Sequence, residues 1–319
     1  MNSVFAALEL IRFRSAWQAV SVQPPLFILG HYRHGTTHLH NLLSLDDRFG
    51  FPNMFQVSYP NTFLTTEALS SVIANFFVPL KRPFDNVPLG MSVPYEDEIA
   101  MVSAARVSPY LSLVFPRRIS YYDGHLSLQN ASVDDISRWQ NALLTFFQKL
   151  TLKHNKPLVI KSPPHTARIP LLLEMFPEAK FVHICRNPYD VYQSTMKMVT
   201  IGSRWTRLQT DAVDLRRRTI STYREMYDAY FDDRELIPSG NLHEMSFEDL
   251  QERPIDEIER MYRRLGLPEF FEVEHRLRDY LRSIASYERN RFSPLDERDA
   301  ALIRSEWSRS FGEWGYSCP

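Results

Sequence analysis

A short, nearly continuous apolar run, "PPLFIL" at residues 24–29, stops at Gly30. Too short for a helix and without polar alternation, it reads as a strand buried on both faces. "KPLVIK" at 156–161 and "AKFVHIC" at 179–185 have the same character, and "NLHEMSFEDL" at 241–250 holds a further strand. Between the strands the apolar positions change period. Leu39, Leu42 and Leu43 fall at helical spacing, as do Ile136, Trp139, Leu143, Phe146, Phe147 and Leu150, and then Ile220, Tyr223, Met226, Tyr227 and Tyr230. Ser132 with Asp135 forms a start signal, Pro188 and Pro254 sit in first turns, and Gly266 closes a helix. Buried strands alternating with helices predict an α/β fold, a parallel β-sheet flanked by helices, as one domain over residues 1–319.

Two stretches depart from this rhythm. Residues 49–130 are rich in Phe, Tyr and Pro without a strong period, and are expected to be a functional insertion. At the N-terminus Phe5, Leu8, Ile11 and Trp17 share roughly one helical face. A packed leading helix is the favoured expectation there, ahead of a membrane-surface helix. Interrupting charges and the lack of a cleavage site argue against a signal peptide, and no run reaches the length of a membrane span. The aromatic tail "WSRSFGEWGYSCP" is expected to dock on the body.

Charge narrows the function classes. The net charge is −1, with 37 Lys and Arg against 38 Asp and Glu. No whole-molecule field favours nucleic acid. Cys185 and Cys318 are the two cysteines, so neither a disulfide framework nor a Cys-based metal site is expected, and a reducing, cytoplasmic setting fits.

Three predicted strand ends carry chemistry. The first leads into "GHYRHGTT" at 30–37 and then a helix, the context of a phosphate loop. Gly35 permits close backbone approach, Thr36 and Thr37 offer hydroxyls, and Arg33 offers a rigid fork for an oxyanion. A Walker loop would have lysine after the second glycine, where Thr36 stands, which argues against a bound triphosphate. A glycine turn capping an ordinary helix is the plainer alternative. The second strand end is "KSPPH", with Lys161 and His165. The third, "RNPYDVYQS", carries Arg186 and, two helical turns on, Ser194. There a local Arg186–Asp190 ion pair is the plainer alternative. His31, His34, His38 and His40 crowd the loop at mixed spacing, and no metal is expected there.

Taken in order, "YRHGTT", "KSPPH", "FVHICRNPYDVYQS", "SFEDL" and "LGLP" resemble the motif series of the sulfotransferases across residues 24–270. The nearest likeness is to the bacterial-type branch related to tyrosylprotein sulfotransferases. The resemblance implies a P-loop-like nucleotide-binding architecture. It also implies 3′-phosphoadenosine-5′-phosphosulfate as donor, with no metal required, and a sulfuryl transfer to a hydroxyl or amine. By position, Arg33, His34, Gly35, Thr36 and Thr37 would hold the phosphosulfate, Arg186 and Ser194 the 3′-phosphate, and Lys161 the bridging oxygen. Phe247 would lie by the adenine, and Arg291, with Arg289, would reach the 3′-phosphate. His34 stands where the family has serine, and Phe247 where it has tyrosine.

The base that takes the acceptor's proton does not carry over. Residues 49–60 hold no acid, only Gln56. Two candidates remain, His165 beyond Lys161 and Glu98 in the acidic triplet Glu96–Asp97–Glu98. The aromatic content of 49–130 points to an apolar or aromatic small-molecule acceptor. The alternatives are an ATP-dependent kinase and a non-catalytic nucleotide-binding module.

Overall fold

Four strands, β1 (Leu26–Leu29), β2 (Val159–Lys161), β3 (Lys180–Cys185) and β4 (Leu242–Ser246), form one parallel sheet in the order β2-β1-β3-β4. The computed structural model describes residues 2–75, 78–79, 81, 87–210, 213–286, 292 and 295–317. Register places Phe27 between Ile160 and Phe181, and Ile28 between Lys161 and Val182. Successive strand residues face opposite ways. Phe27, Leu29, Ile160 and Phe181 therefore join one core with Trp139, Leu143 and Phe147 of the helix Val133–His154. Leu26, Ile28, Val159 and Val182 join another with Leu39, Leu42 and Leu43 of the helix Thr36–Leu43. Two covered faces explain the near-continuous apolar strands.

The chain steps from β1 to β2 on one side, then to β3 on the other. The strand order thus reverses at β1, and the carboxyl ends of β1 and β3 flank the crevice where ligands bind such sheets.

The expected helix signals are in place. The Ser132 hydroxyl accepts the Asp135 N–H at 3.1 Å, Pro188 and Pro254 occupy first turns, and Gly266 ends its helix at φ 56°. The tail docks: Trp307 stacks on Tyr223 with ring centroids 3.7 Å apart, and Trp314 stacks on His183.

Residues 49–130 hold more regular structure than their pattern suggests. Met54–Ser58, Phe63–Asn75, Glu98–Ala104, Leu111–Val114 and Ile119–Asp123 are helical. Most are one or two turns long and separated by prolines such as Pro60, Pro94 and Pro109, so no period has length to develop.

The leading helix, Asn2–Gln18, packs on a different face from the expected one. Glu9 and Trp17 are buried, while Leu8 is 48% and Ile11 84% exposed. Lys149 sets the orientation. Its ammonium reaches Glu9 at 2.7 Å and the Pro60 carbonyl at 3.0 Å, and lies 4.6 Å from the Trp17 ring centroid. Ile11 stands about 200° around the helix from Glu9, so pairing Glu9 inward turns Ile11 out.

Candidate functional site

The chain leaves β1 at Gly30, whose N–H donates to the Thr166 hydroxyl at 2.8 Å. The loop then turns through Arg33 at φ 72°, a left-handed conformation rare for a residue with a side chain. Gly35 caps the following helix at φ 92°. A Cβ at Gly35 would lie 2.3 Å from the Phe247 ring, so glycine is required both for the backbone and for the ring above it. Thr36 and Thr37 open the helix, whose N-terminal dipole favours an anion.

His34 does not face the cavity, contrary to its expected place among the donor-binding groups. It is fully buried beneath the loop, with Nδ1 3.0 Å from both the Ile184 carbonyl and the Tyr227 hydroxyl, and its N–H donates to the His31 carbonyl. Burial holds its pKa well below the ordinary value, so it stays neutral. Its size suits it to prop the loop, not to replace a small donor.

The loop and the third strand end are joined directly. Arg33 Nε donates to Ser194 Oγ at 2.8 Å, and Arg186 Nη1 donates to the Arg33 carbonyl at 3.0 Å. Arg186 also pairs with Asp190 at 3.3 Å, and its guanidinium lies 4.7 Å from the Phe247 ring centroid. Burial lowers the Arg186 pKa. Arg33, Gly35, Thr36, Thr37, Lys161, Arg186, Ser194 and Phe247 all line one cavity of about 580 Å³. Arg289 and Arg291 lie outside the described residues.

The second strand end shows what the sequence reading misplaced. Glu96, Asp97 and Glu98 pair with different residues of the stretch 161–168, which runs from the last residue of β2. Glu96 Oε1 accepts from Lys161 Nζ at 2.6 Å, and its other oxygen accepts from the Tyr110 hydroxyl. Asp97 accepts from Ser162 Oγ at 2.6 Å and lies 2.8 Å from His165 Nε2. Glu98 makes a buried ion pair with Arg168 at 2.8 Å. Burial alone would raise the Asp97 pKa, yet His165, Ser162 and Arg168 together carry it below the ordinary carboxylate value. Burial and Glu96 push the Tyr110 phenol well above its usual range, so it remains a donor.

Hence neither candidate base named from sequence reaches the cavity. His165 and Glu98 are fully buried, committed to Asp97 and Arg168. Two acids do line it: Asp190, paired with Arg186, and Glu96, beside Lys161. Three successive residues at the start of the helix Glu98–Ala104 point in three directions, and only a partner some 65 positions away decides which faces the site. No local spacing carries that information.

One stretch of the wall is apolar, formed by Val87, Pro88, Leu89, Val93, Pro94 and Tyr95; Leu45, Ile284 and Phe292 also line the cavity, as do the polar His38, Asn41, Ser44 and Gln251. Residues 52–55 hold it. Met54 and Phe55 donate their N–H groups to the Val93 and Met91 carbonyls, and Tyr95 donates to the Pro52 carbonyl at 2.8 Å. Gln56 is spent on this strap: it is buried in a capping box with Asn53 and donates to Glu67. Among the described residues no group of three His, Cys, Asp or Glu side chains could hold a metal ion.

Comparison with known proteins follows the geometry. The model of the "Sulfotransferase family" matches residues 24–272. The chain is 35% identical over 318 residues to Stf3, an omega-hydroxy-beta-dihydromenaquinone-9 sulfotransferase, from Mycobacterium bovis and likewise from Mycobacterium tuberculosis. The match covers 99% of this chain and 81% of the relative. Two solved structures share the fold. Sulfotransferase STF9 from Mycobacterium avium superposes with a TM-score of 0.76 at 19% identity, covering 97% of this chain and 81% of that one. STF1 from Mycobacterium tuberculosis superposes at 0.66 and 16%, covering 96% and 81%. The parallel sheet with its phosphate-type loop, and a family match across most of its length, make this chain a member of the sulfotransferase family and a sulfuryl-transferring enzyme.

Proposed function

We propose that the cavity binds 3′-phosphoadenosine-5′-phosphosulfate and an apolar acceptor bearing a hydroxyl, and that Glu96 receives the acceptor's proton. The observation that carries the reading is the convergence of Arg33, Lys161, Arg186 and Ser194 on one cavity, with a carboxylate hydrogen-bonded to Lys161.

The donor set fits a nucleotide charged at both ends. Arg33, Thr36, Thr37 and the helix N-terminus hold the phosphosulfate, and Arg186 with Ser194 holds the 3′-phosphate. The Arg33–Ser194 hydrogen bond ties the two halves of the site at a fixed separation. Phe247 offers a ring face for the base, backed by the Arg186 guanidinium. When bound, the donor supplies an activated sulfuryl group and a phosphate that leaves readily.

Catalysis then rests on positioning and on fixed charge. Lys161 is held between Glu96 and Thr37, with Nζ 3.5 Å from the Thr37 hydroxyl. With an anionic donor bound, Lys161 would turn from Glu96 toward the donor's phosphosulfate. The carboxylate, still held by Tyr110, is then the stronger base toward an acceptor hydroxyl. The ion pair thus couples the presence of donor to the readiness of the base.

The acceptor reading rests on the apolar wall. It also rests on the relative whose name specifies a hydroxylated menaquinone, an apolar quinone carrying a hydroxyl. Thr36 in the place of a Walker lysine, and Lys161 paired to an acid, favour sulfuryl transfer over ATP-dependent phosphorylation.

Calorimetric titration tests the donor site. The protein should bind 3′,5′-bisphosphoadenosine more tightly than 5′-AMP, and Arg186→Ala should abolish most of that preference. Equal affinities in the wild type would contradict the assignment of Arg186 and Ser194.

A further inference from the structure

The leading helix is apolar on two faces. Phe5, Ala6, Phe13 and Trp17 turn toward the body, while Val4, Leu8 and Ile11 turn away at 63%, 48% and 84% exposure. Their spacing of four and three residues makes one outward stripe. Leu10, on the flank, is 49% exposed. One apolar face is covered by the body, yet nothing among the described residues covers this outward stripe.

Charge identifies what does. The exposed residues of the helix include Arg12 and Arg14, one on each side of the stripe, and no acid. The helix's one acid, Glu9, is buried and neutralised by Lys149. The outward face is thus apolar in its centre and purely cationic at its edges, the pattern of a helix lying in the headgroup region of an anionic bilayer. Area argues the same way. Three aliphatic side chains offer on the order of 300 Å², well below the roughly 800 Å² per partner of a stable protein complex. Such an area gives a weak, reversible lipid contact.

The inner face of the helix is linked to the segment that carries the cavity wall. The helix Phe63–Asn75 donates the Thr65 N–H to Glu9, and at its far end the Asn75 side chain accepts from the N–H of Met91, which lies between the wall residues Leu89 and Val93. We infer that Val4, Leu8 and Ile11, flanked by Arg12 and Arg14, form a peripheral membrane-docking face for an anionic lipid surface. The inference stands on the helix itself and does not depend on which acceptor the site takes.

Vesicle co-sedimentation tests it, using the full chain with phosphatidylcholine vesicles containing phosphatidylglycerol, or with phosphatidylcholine alone. The wild type should sediment with the anionic vesicles, less so as salt is raised. Leu8→Ser/Ile11→Ser should weaken binding by about tenfold or more, and Arg12→Gln/Arg14→Gln should remove the preference for anionic lipid. Both variants should keep the wild-type urea midpoint and nucleotide affinity, since these side chains are exposed. Absence of wild-type binding to anionic vesicles overturns the proposal, as does undiminished binding by Leu8→Ser/Ile11→Ser. A dimer in sedimentation equilibrium that this variant abolishes, without vesicle binding, would assign the face to a second copy of the chain.

Discussion

Replacing Gly35 by alanine tests how the loop and the base-stacking ring depend on each other. The added methyl would lie 2.3 Å from Phe247 Cδ2 and 2.5 Å from Cε2. Carbon atoms pack at about 3.5–4.0 Å, so the ring must retreat by roughly 1.2 Å or more. Arg186 lies over that ring and also bonds the loop at Arg33, so the ring cannot move alone. Overpacking of this kind costs about 1–3 kcal/mol, and alanine at φ 92° adds roughly 1–2 kcal/mol of backbone strain. A total of about 2–5 kcal/mol follows, read as a lower urea midpoint and a nucleotide affinity reduced by about tenfold or more. The double-mutant cycle isolates the contact. In a Phe247→Ala background only the strain remains, so Gly35→Ala should cost about 1–2 kcal/mol there. Additivity within about 0.5 kcal/mol would refute the steric argument and leave the glycine with a purely conformational role.

Glu96→Gln should lower kcat by roughly 10²- to 10⁴-fold with nucleotide affinity retained. Glu98→Gln should instead lower stability, because it leaves the buried Arg168 without its charge partner, and should spare turnover in the folded fraction. Stopped assays alongside urea melts separate the two. Glu9→Gln strands the Lys149 ammonium in the core and should cost about 3–5 kcal/mol by urea unfolding; a change within 0.5 kcal/mol, the scale of an ordinary surface substitution, would show that Lys149 finds water. Acid should destabilise the fold through its histidines. Burial lowers the pKa of His31, His40 and His183 from 6.5 to about 3. Between those values the unfolded chain binds protons that the folded chain does not, so this contribution is complete above pH 6.5 and is lost as pH falls toward 3. By pH 5 each histidine held neutral contributes about 2 kcal/mol of that loss; a urea midpoint unchanged from pH 7.5 to 5 would contradict it.

The parts of the site that a sequence reader can see are those fixed by local chemistry. A buried strand must end, and the glycines of "GHYRHGTT", the Arg186–Ser194 step and Lys161 all lie at such ends, where a parallel sheet presents its ligands. The motif series adds order to features that are weak one at a time. The rest depends on pairings between distant segments. Glu96 rather than Glu98 reaches the cavity because Lys161 and Arg168 lie on opposite sides of the same turn. His165 reads as a base by its proximity to Lys161, yet Asp97 holds it in the core. The leading helix has two apolar faces, and only the partner of Glu9, 140 residues away, decides which is covered.

Sulfuryl transfer itself is the most direct test. The protein should be supplied with ³⁵S-labelled 3′-phosphoadenosine-5′-phosphosulfate and a hydroxylated prenylquinone, with EDTA present. The account predicts a labelled sulfate ester of the quinone. It also predicts a turnover reduced at least about 100-fold in Arg33→Ala, in keeping with roughly 3–4 kcal/mol for one lost charge-stabilising donor. Arg33→Ala working at the wild-type rate would contradict it, as would the absence of a ³⁵S product beside magnesium-dependent phosphoryl transfer from γ-³²P-labelled ATP.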